Sequence, residues 1–146
     1  MKPSTRGFTL IELLIVVAII GLLAAIAIPN LLNAVDKGKQ KRTMSDMRSI
    51  GTAIEAYAVD NTHYPIVSSV VAIKAVVDPI FIDTNPQYDG WSHDLQVEAT
   101  SSQYTVYSQG KDGTGTNCTV GATSTFNDQI CFVNGRFARY PEGTQQ

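Results

Sequence analysis

Apolar residues fill positions 8–28 almost without interruption, and the single charge among them is Glu12. A helix of about 20 apolar residues is long enough to cross a bilayer. Beyond Pro29 and Asn30 the pattern changes. Leu31, Leu32 and Val35 are followed by Met44, Met47, Ile50, Ile54 and Tyr57, the last five spaced by three or four. That spacing is the stripe of an amphipathic helix facing a core. Lys37, Lys39, Lys41, Arg42, Asp46, Arg48 and Glu55 fall between the apolar positions. Together the two patterns predict one helix from Phe8 to about Val59, roughly 80 Å long at 1.5 Å per residue. Its first half is apolar all round and protrudes, and its second half packs on a head. Pro29 lacks an N–H and crowds the carbonyl four residues back, so a kink or a melted turn is expected there.

Asn61, Thr62 and the Tyr64-Pro65 step end the long helix. Residues 67–78 are apolar with few breakers and predict a short helix ending before Pro79. Residues 79–90 read as loop, with Pro86 and Asp89-Gly90 as turn signals. Gln96–Ala99 and Tyr104–Ser108 alternate as strands do. Ile130–Val133 and residues 136–140 flank Asn134-Gly135, a hairpin signal because both turn positions need positive φ. The fold class is therefore α+β: a long N-terminal helix on a small antiparallel sheet. Residues 31–60 form the amphipathic half of the helix and 61–146 the globular head.

The chain has 146 residues and a formal net charge of −2, which gives no sign of nucleic-acid binding. From Asp60 onward acids outnumber bases, so the head is an acidic body. Cys118 and Cys131 are the two cysteines. In an exported chain an even count favours a disulfide, which would contribute about 3 kcal/mol by closing a loop of this size. Buried free thiols are the alternative. A zinc site would need His63 and His93 as well, and no CxxC or HxxxH spacing supports it. Ser92-His93-Asp94 are chain neighbours and not a spatial triad, and no nucleophile motif or phosphate-binding loop is present. An enzyme is not expected. Residues 111–124 are rich in Gly, Thr and Asn, a flexible loop or a metal loop. Ser108, Gly110, Asp112 and Asp128 carry oxygens of the kind calcium takes, without an EF-hand pattern.

Three readings fit the N-terminus. It is a secretory signal cut after the apolar run, with Ala25-Ile26-Ala27 as a cleavage site. It is a plain membrane anchor behind the basic flank of Lys2 and Arg6. Or it is a leader cut before the run, at Gly7/Phe8. A removed signal gains nothing from an acid in its apolar region, and a lone carboxylate at bilayer depth is costly. Glu12 therefore implies a partner that neutralises it, and so an assembly.

Residues 6–14, Arg-Gly-Phe-Thr-Leu-Ile-Glu-Leu-Leu, resemble the class III leader of type IV pilins and type II secretion pseudopilins. The resemblance implies a leader at residues 1–7, cut by a prepilin peptidase between Gly7 and Phe8, and N-methylation of Phe8. It implies that residues 8–30 anchor the subunit in the inner membrane and then pack in the core of a helical filament. Glu12 would pair with the Phe8 amine of a neighbouring subunit as a register device, and Pro29 falls where related filaments unwind their helix.

Asp78-Pro79, Asp89-Gly90-Trp91 and residues 107–113 resemble the head of the major, G-type pseudopilin. That family holds calcium through an S-x-G-x-D-G loop and a downstream acid, which Ser108, Asp112 and Asp128 match in order. The chain departs from the pattern at Gly90, at Ser92 and in a cysteine-bearing insertion before Asp128. Taken alone, Trp91 is a core aromatic. The resemblance implies a structural filament subunit of a type II secretion system, with other copies of itself, an assembly platform and minor pseudopilins as partners. The filament would lie in the periplasm. A surface type IV pilus subunit, used for adhesion, twitching or DNA uptake, is the alternative. A membrane-anchored binding module that never polymerises is the second.

Overall fold

A computed structural model describes residues 7–115 and 118–142. Helix α1 spans Leu10–Asn61, and helix α2 spans Val70–Val77. Five strands follow: β1 Gln96–Ala99, β2 Tyr104–Ser108, β3 Gly121–Thr123, β4 Ile130–Val133 and β5 Arg136–Pro141. The chain divides into two compact units between Val35 and Asp36.

In the first unit the large apolar side chains are exposed, from Phe8 and Leu10 through to Val35. This part of α1 is the one described helix long and apolar enough to cross a membrane, with a mean hydropathy of 3.0 over its most apolar window. Pro29 lies inside α1, and no melted turn marks it, since residues 10–61 are helical throughout. The Asn30 side-chain amide donates to the Ile26 carbonyl at 3.1 Å, an extra bond beside the donor that proline lacks.

In the second unit the predicted stripe is the buried face of the helix. Met47, Ile50, Ala53 and Ile54 are buried, with Met44 half-buried beside them. They meet Ile73 and Val77 of α2 and Val97, Tyr104, Val106, Ile130 and Phe132 of the sheet. Ser69 caps α2, its hydroxyl accepting from the Ala72 N–H at 3.1 Å. Val67, just before it, bridges to Ala99 on the outer edge of β1. That pairing shields an edge that would otherwise offer open backbone groups.

The sheet order is β1-β2-β4-β5-β3. The first four strands pair antiparallel, but β3 pairs parallel with β5, so the sheet is mixed where an antiparallel one was expected. Strand β3 lies within the segment read as loop. It has only three residues, starts on Gly121 and offers no alternation long enough to read. Asn134 and Gly135 take positive φ, 46° and 83°, and close the β4–β5 hairpin as the sequence predicts.

Candidate functional site

Gly7 and Phe8, where the sequence leads one to expect cleavage, are exposed, Phe8 by 79%. Lys2 and Arg6 of the expected leader lie outside the described residues. Thr9, directly after Phe8, precedes the first turn of α1, and Glu12 sits three positions later. The Thr9 N–H and hydroxyl both donate to Glu12 Oε2, at 2.9 and 2.8 Å. The Glu12 N–H donates back to Thr9 Oγ1 at 3.2 Å. This is a reciprocal capping box, which satisfies donors that every helix start leaves open. The sequence carried the signal in its Thr-x-x-Glu spacing. Thr9 is therefore a partner of Glu12 within its own chain, beside the neighbour's amine expected from the resemblance.

A second cluster joins the Asp89-Gly90-Trp91 turn to the helix and to the loop after β2. Asp89 is buried. Its Oδ1 accepts from the backbone N–H groups of Trp91 and His93, each at 2.9 Å, and its Oδ2 from the Ser108 hydroxyl at 2.7 Å. The Gly90 N–H donates to Thr43 Oγ1 on α1 at 2.8 Å. A Cβ at Gly90 would lie 2.3 Å from the Lys39 carbonyl oxygen, so the turn meets the helix backbone where only glycine fits. Trp91 Nε1 donates to Asp36 Oδ1 at 3.0 Å, and Lys111 Nζ to Asp36 Oδ2 at 2.8 Å. Burial works against the Asp36 charge. The bonds from Lys111 and Trp91 outweigh it and hold the carboxyl below the usual range. Trp91 is thus a polar anchor as well as a half-buried aromatic. Asp36 had carried no sign of its role, because its partners lie far along the chain.

The three residues matched to calcium are engaged separately. Ser108 donates to Asp89 and accepts from the Gly110 N–H at 3.2 Å. Asp112 is exposed and accepts from the Thr114 N–H at 3.1 Å. Asp128 Oδ2 accepts from the Ser124 and Thr125 N–H groups at 2.7 and 2.9 Å and from the Ser124 hydroxyl at 3.2 Å. Its Oδ1 takes Arg139 NH2 at 3.0 Å. The Thr125 N–H leads the forces that hold this carboxyl below its usual range, with Ser124 and Arg139 adding to it against burial. Calcium takes six to eight oxygens. Here the one partly buried acid of the set already accepts four bonds, one of them from a guanidinium, and the three side chains as placed do not fit the ion. Among the described residues no group of three or more His, Cys, Asp or Glu could hold a metal. Cys118 and Cys131 are joined as a disulfide, which removes them from any zinc set with His63 and His93.

Two family descriptions match the chain. A prokaryotic N-terminal methylation motif covers residues 2–28, and type II secretion system protein G covers residues 30–123. The chain belongs to the type II secretion system protein G family. Similar proteins include type II secretion system core protein G of Klebsiella michiganensis, 32% identical over 82% of this chain and 94% of that one. Core protein G of Vibrio cholerae is 32% identical over 84% of this chain and 83% of its own. That of Pseudomonas aeruginosa is 32% identical over 77% and 80%. No solved structure matches the chain. As a protein G family member the chain is a structural pseudopilin subunit, and the match favours secretion over a surface pilus. The protein G match ends at Thr123. Asp128, Cys131 and Arg139 lie beyond it.

Proposed function

We propose that this subunit is stored in the inner membrane by residues 8–30 and is cut between Gly7 and Phe8 by a prepilin peptidase. It is then methylated on the Phe8 amine and added to a periplasmic filament through an assembly platform and minor pseudopilins. The filament is a polymer of this chain, and its extension drives protein secretion. Each incoming subunit is registered by Glu12 against the Phe8 amine of a neighbour. The observation that carries this reading is the capping box. Thr9 satisfies the Glu12 carboxylate within one chain, so the acid is held at the N-terminal turn until a cation arrives. The turn itself favours negative charge, since helix N-termini carry partial positive charge.

Glutamine serves a capping box as well as glutamate does, but carries no charge. Glu12→Gln should therefore insert in the membrane and be cleaved normally, yet give no filament in shear fractions from cells bearing the secretion system. Thr9→Ala keeps the charge and should still assemble. Wild-type filament yield from Glu12→Gln would refute the pairing.

A further inference from the structure

Arg139 stands opposite Cys131 in the β4–β5 register, and Tyr107 stands opposite Cys131 on the other side. The disulfide to Cys118 thus brings the segment before β3 onto this row of the sheet. Arg139 makes two bonds there. NH1 donates to Thr119 Oγ1 on the incoming segment, and NH2 to Asp128 Oδ1 on the turn before β4, both at 3.0 Å. Its side chain is only 20% exposed. The other half of the loop is held by different groups: Lys111 N–H to the Phe126 carbonyl at 2.9 Å, Lys111 Nζ to Asp36, and His93 Nδ1 at 3.0 Å from the Gly110 carbonyl. A planar guanidinium with several donors can bridge two acceptors at once, which suits it to this place better than an ammonium.

We infer that the loop between β2 and β4 is closed in this chain by the Arg139 guanidinium and the Cys118–Cys131 bond, in place of the divalent cation implied by resemblance to the family. The cation is built into the fold, and the head reaches full stability without calcium. This goes beyond the assembly reading and does not depend on it, since a head closed in either way could be carried into a filament.

The test uses the full oxidised chain in detergent micelles, melted with chelator and with millimolar calcium, with terbium luminescence as a direct probe of a calcium-type site. The expected result is the same melting midpoint in both conditions and no saturable terbium signal. A calcium-dependent rise of several degrees, as a site well saturated at that concentration would give, together with terbium binding lost in Asp128→Asn, overturns the inference. Arg139→Met and Asp128→Asn should each lower the midpoint, and the double variant should fall by clearly less than the sum of the two, the signature of coupled partners. Additive losses would show that the two residues do not act together and would sink the clamp. If Arg139→Met does not fold, Arg139→Lys and Thr119→Val, which each remove one arm, carry the same comparison. A reductant should lower the wild-type midpoint with and without calcium alike. Rescue of the reduced chain by calcium would count against the inference.

Discussion

The docking of the Asp89-Gly90-Trp91 turn on the long helix can be tested with one methyl group. In Gly90→Ala the new Cβ would lie 2.3 Å from the Lys39 carbonyl oxygen, 2.7 Å from its carbon and 2.8 Å from its Cα. All three are helix backbone, which cannot swing aside as a side chain can. Gly90 is not among the glycines with positive φ, so alanine meets no conformational penalty of its own and the effect is one of packing. To reach ordinary contact the turn must retreat by about 1 Å. That retreat stretches the 2.8 Å bond from the Gly90 N–H to Thr43 beyond useful range and loosens the Trp91–Asp36 bond. Overpacking costs about 1–3 kcal/mol, and each weakened hydrogen bond adds about 0.5–1.5 kcal/mol. Against this, alanine gains about 0.4–1 kcal/mol by restricting the unfolded chain. The net loss centres on about 3 kcal/mol, a fall in melting midpoint of more than about 10 °C for a head of this size.

Gly38 is the matched control. It lies one residue from Lys39 in the same helix, and a Cβ there meets nothing within 4 Å. Gly38→Ala should stabilise the helix by about 0.5–1 kcal/mol. The assay is thermal unfolding of the full chain in micelles, followed by circular dichroism and by the emission of Trp91, the chain's one tryptophan. A midpoint within about a degree of wild type for Gly90→Ala, with unchanged emission, would refute the packing argument. An equal loss in Gly38→Ala, where the methyl meets nothing, would show that the cost does not come from the clash with Lys39.

Acid should unfold the head through Asp36 and Asp128. Both carboxyls are held below the ordinary value of about 3.9. Their stabilisation is therefore complete above that pH and is lost as pH falls through their lower folded values, and Asp128→Asn should flatten a midpoint-versus-pH curve in that window. Asp46 has the opposite sign. Burial raises its carboxyl against the pull of Arg42, so its contribution is lost as pH rises through the raised value, and Asp46→Asn should melt slightly higher than wild type at neutral pH. Tyr104→Phe removes a hydroxyl that donates to Glu55 Oε1 at 2.7 Å and accepts from the Gly135 N–H at 2.9 Å. It should cost about 1–2 kcal/mol in a denaturant titration, and a change within error would show that water replaces both bonds.

The elements with long or regular patterns were legible in the chain. The helical stripe from Met44 to Tyr57, the strands Gln96–Ala99 and Tyr104–Ser108, and the Asn134-Gly135 turn follow from local periodicity and φ preference. The parallel strand Gly121–Thr123 was not legible, because its place is set by partners across the sheet. The same holds for Asp36 and Arg139. Asp36 and Lys111 are 75 residues apart in the chain, and nothing local marks them as partners. Arg139 reaches Asp128 only because the hairpin register, shifted between Cys131 and Phe132, sets it beside the turn. Order along the chain matches Asp128 to a ligand's position, and only the fold shows the Arg139 guanidinium beside it.

Glu12 shows the converse: a local signal was present and a non-local argument hid it. An acid in an apolar run demands a partner, and the first partner is three residues away. A carboxylate bonded by the Thr9 N–H and hydroxyl is not an orphan charge. The need for neutralisation alone therefore cannot explain why it stands at this position, because the cap already meets part of that need. What the cap cannot supply is a full positive charge. In the proposed filament the neighbour's amine does, and the acid exchanges a neutral partner for a cationic one. A site of this kind is satisfied enough to be stored and still better satisfied once assembled, which gives polymerisation a direction at a residue that a simple membrane anchor would not need.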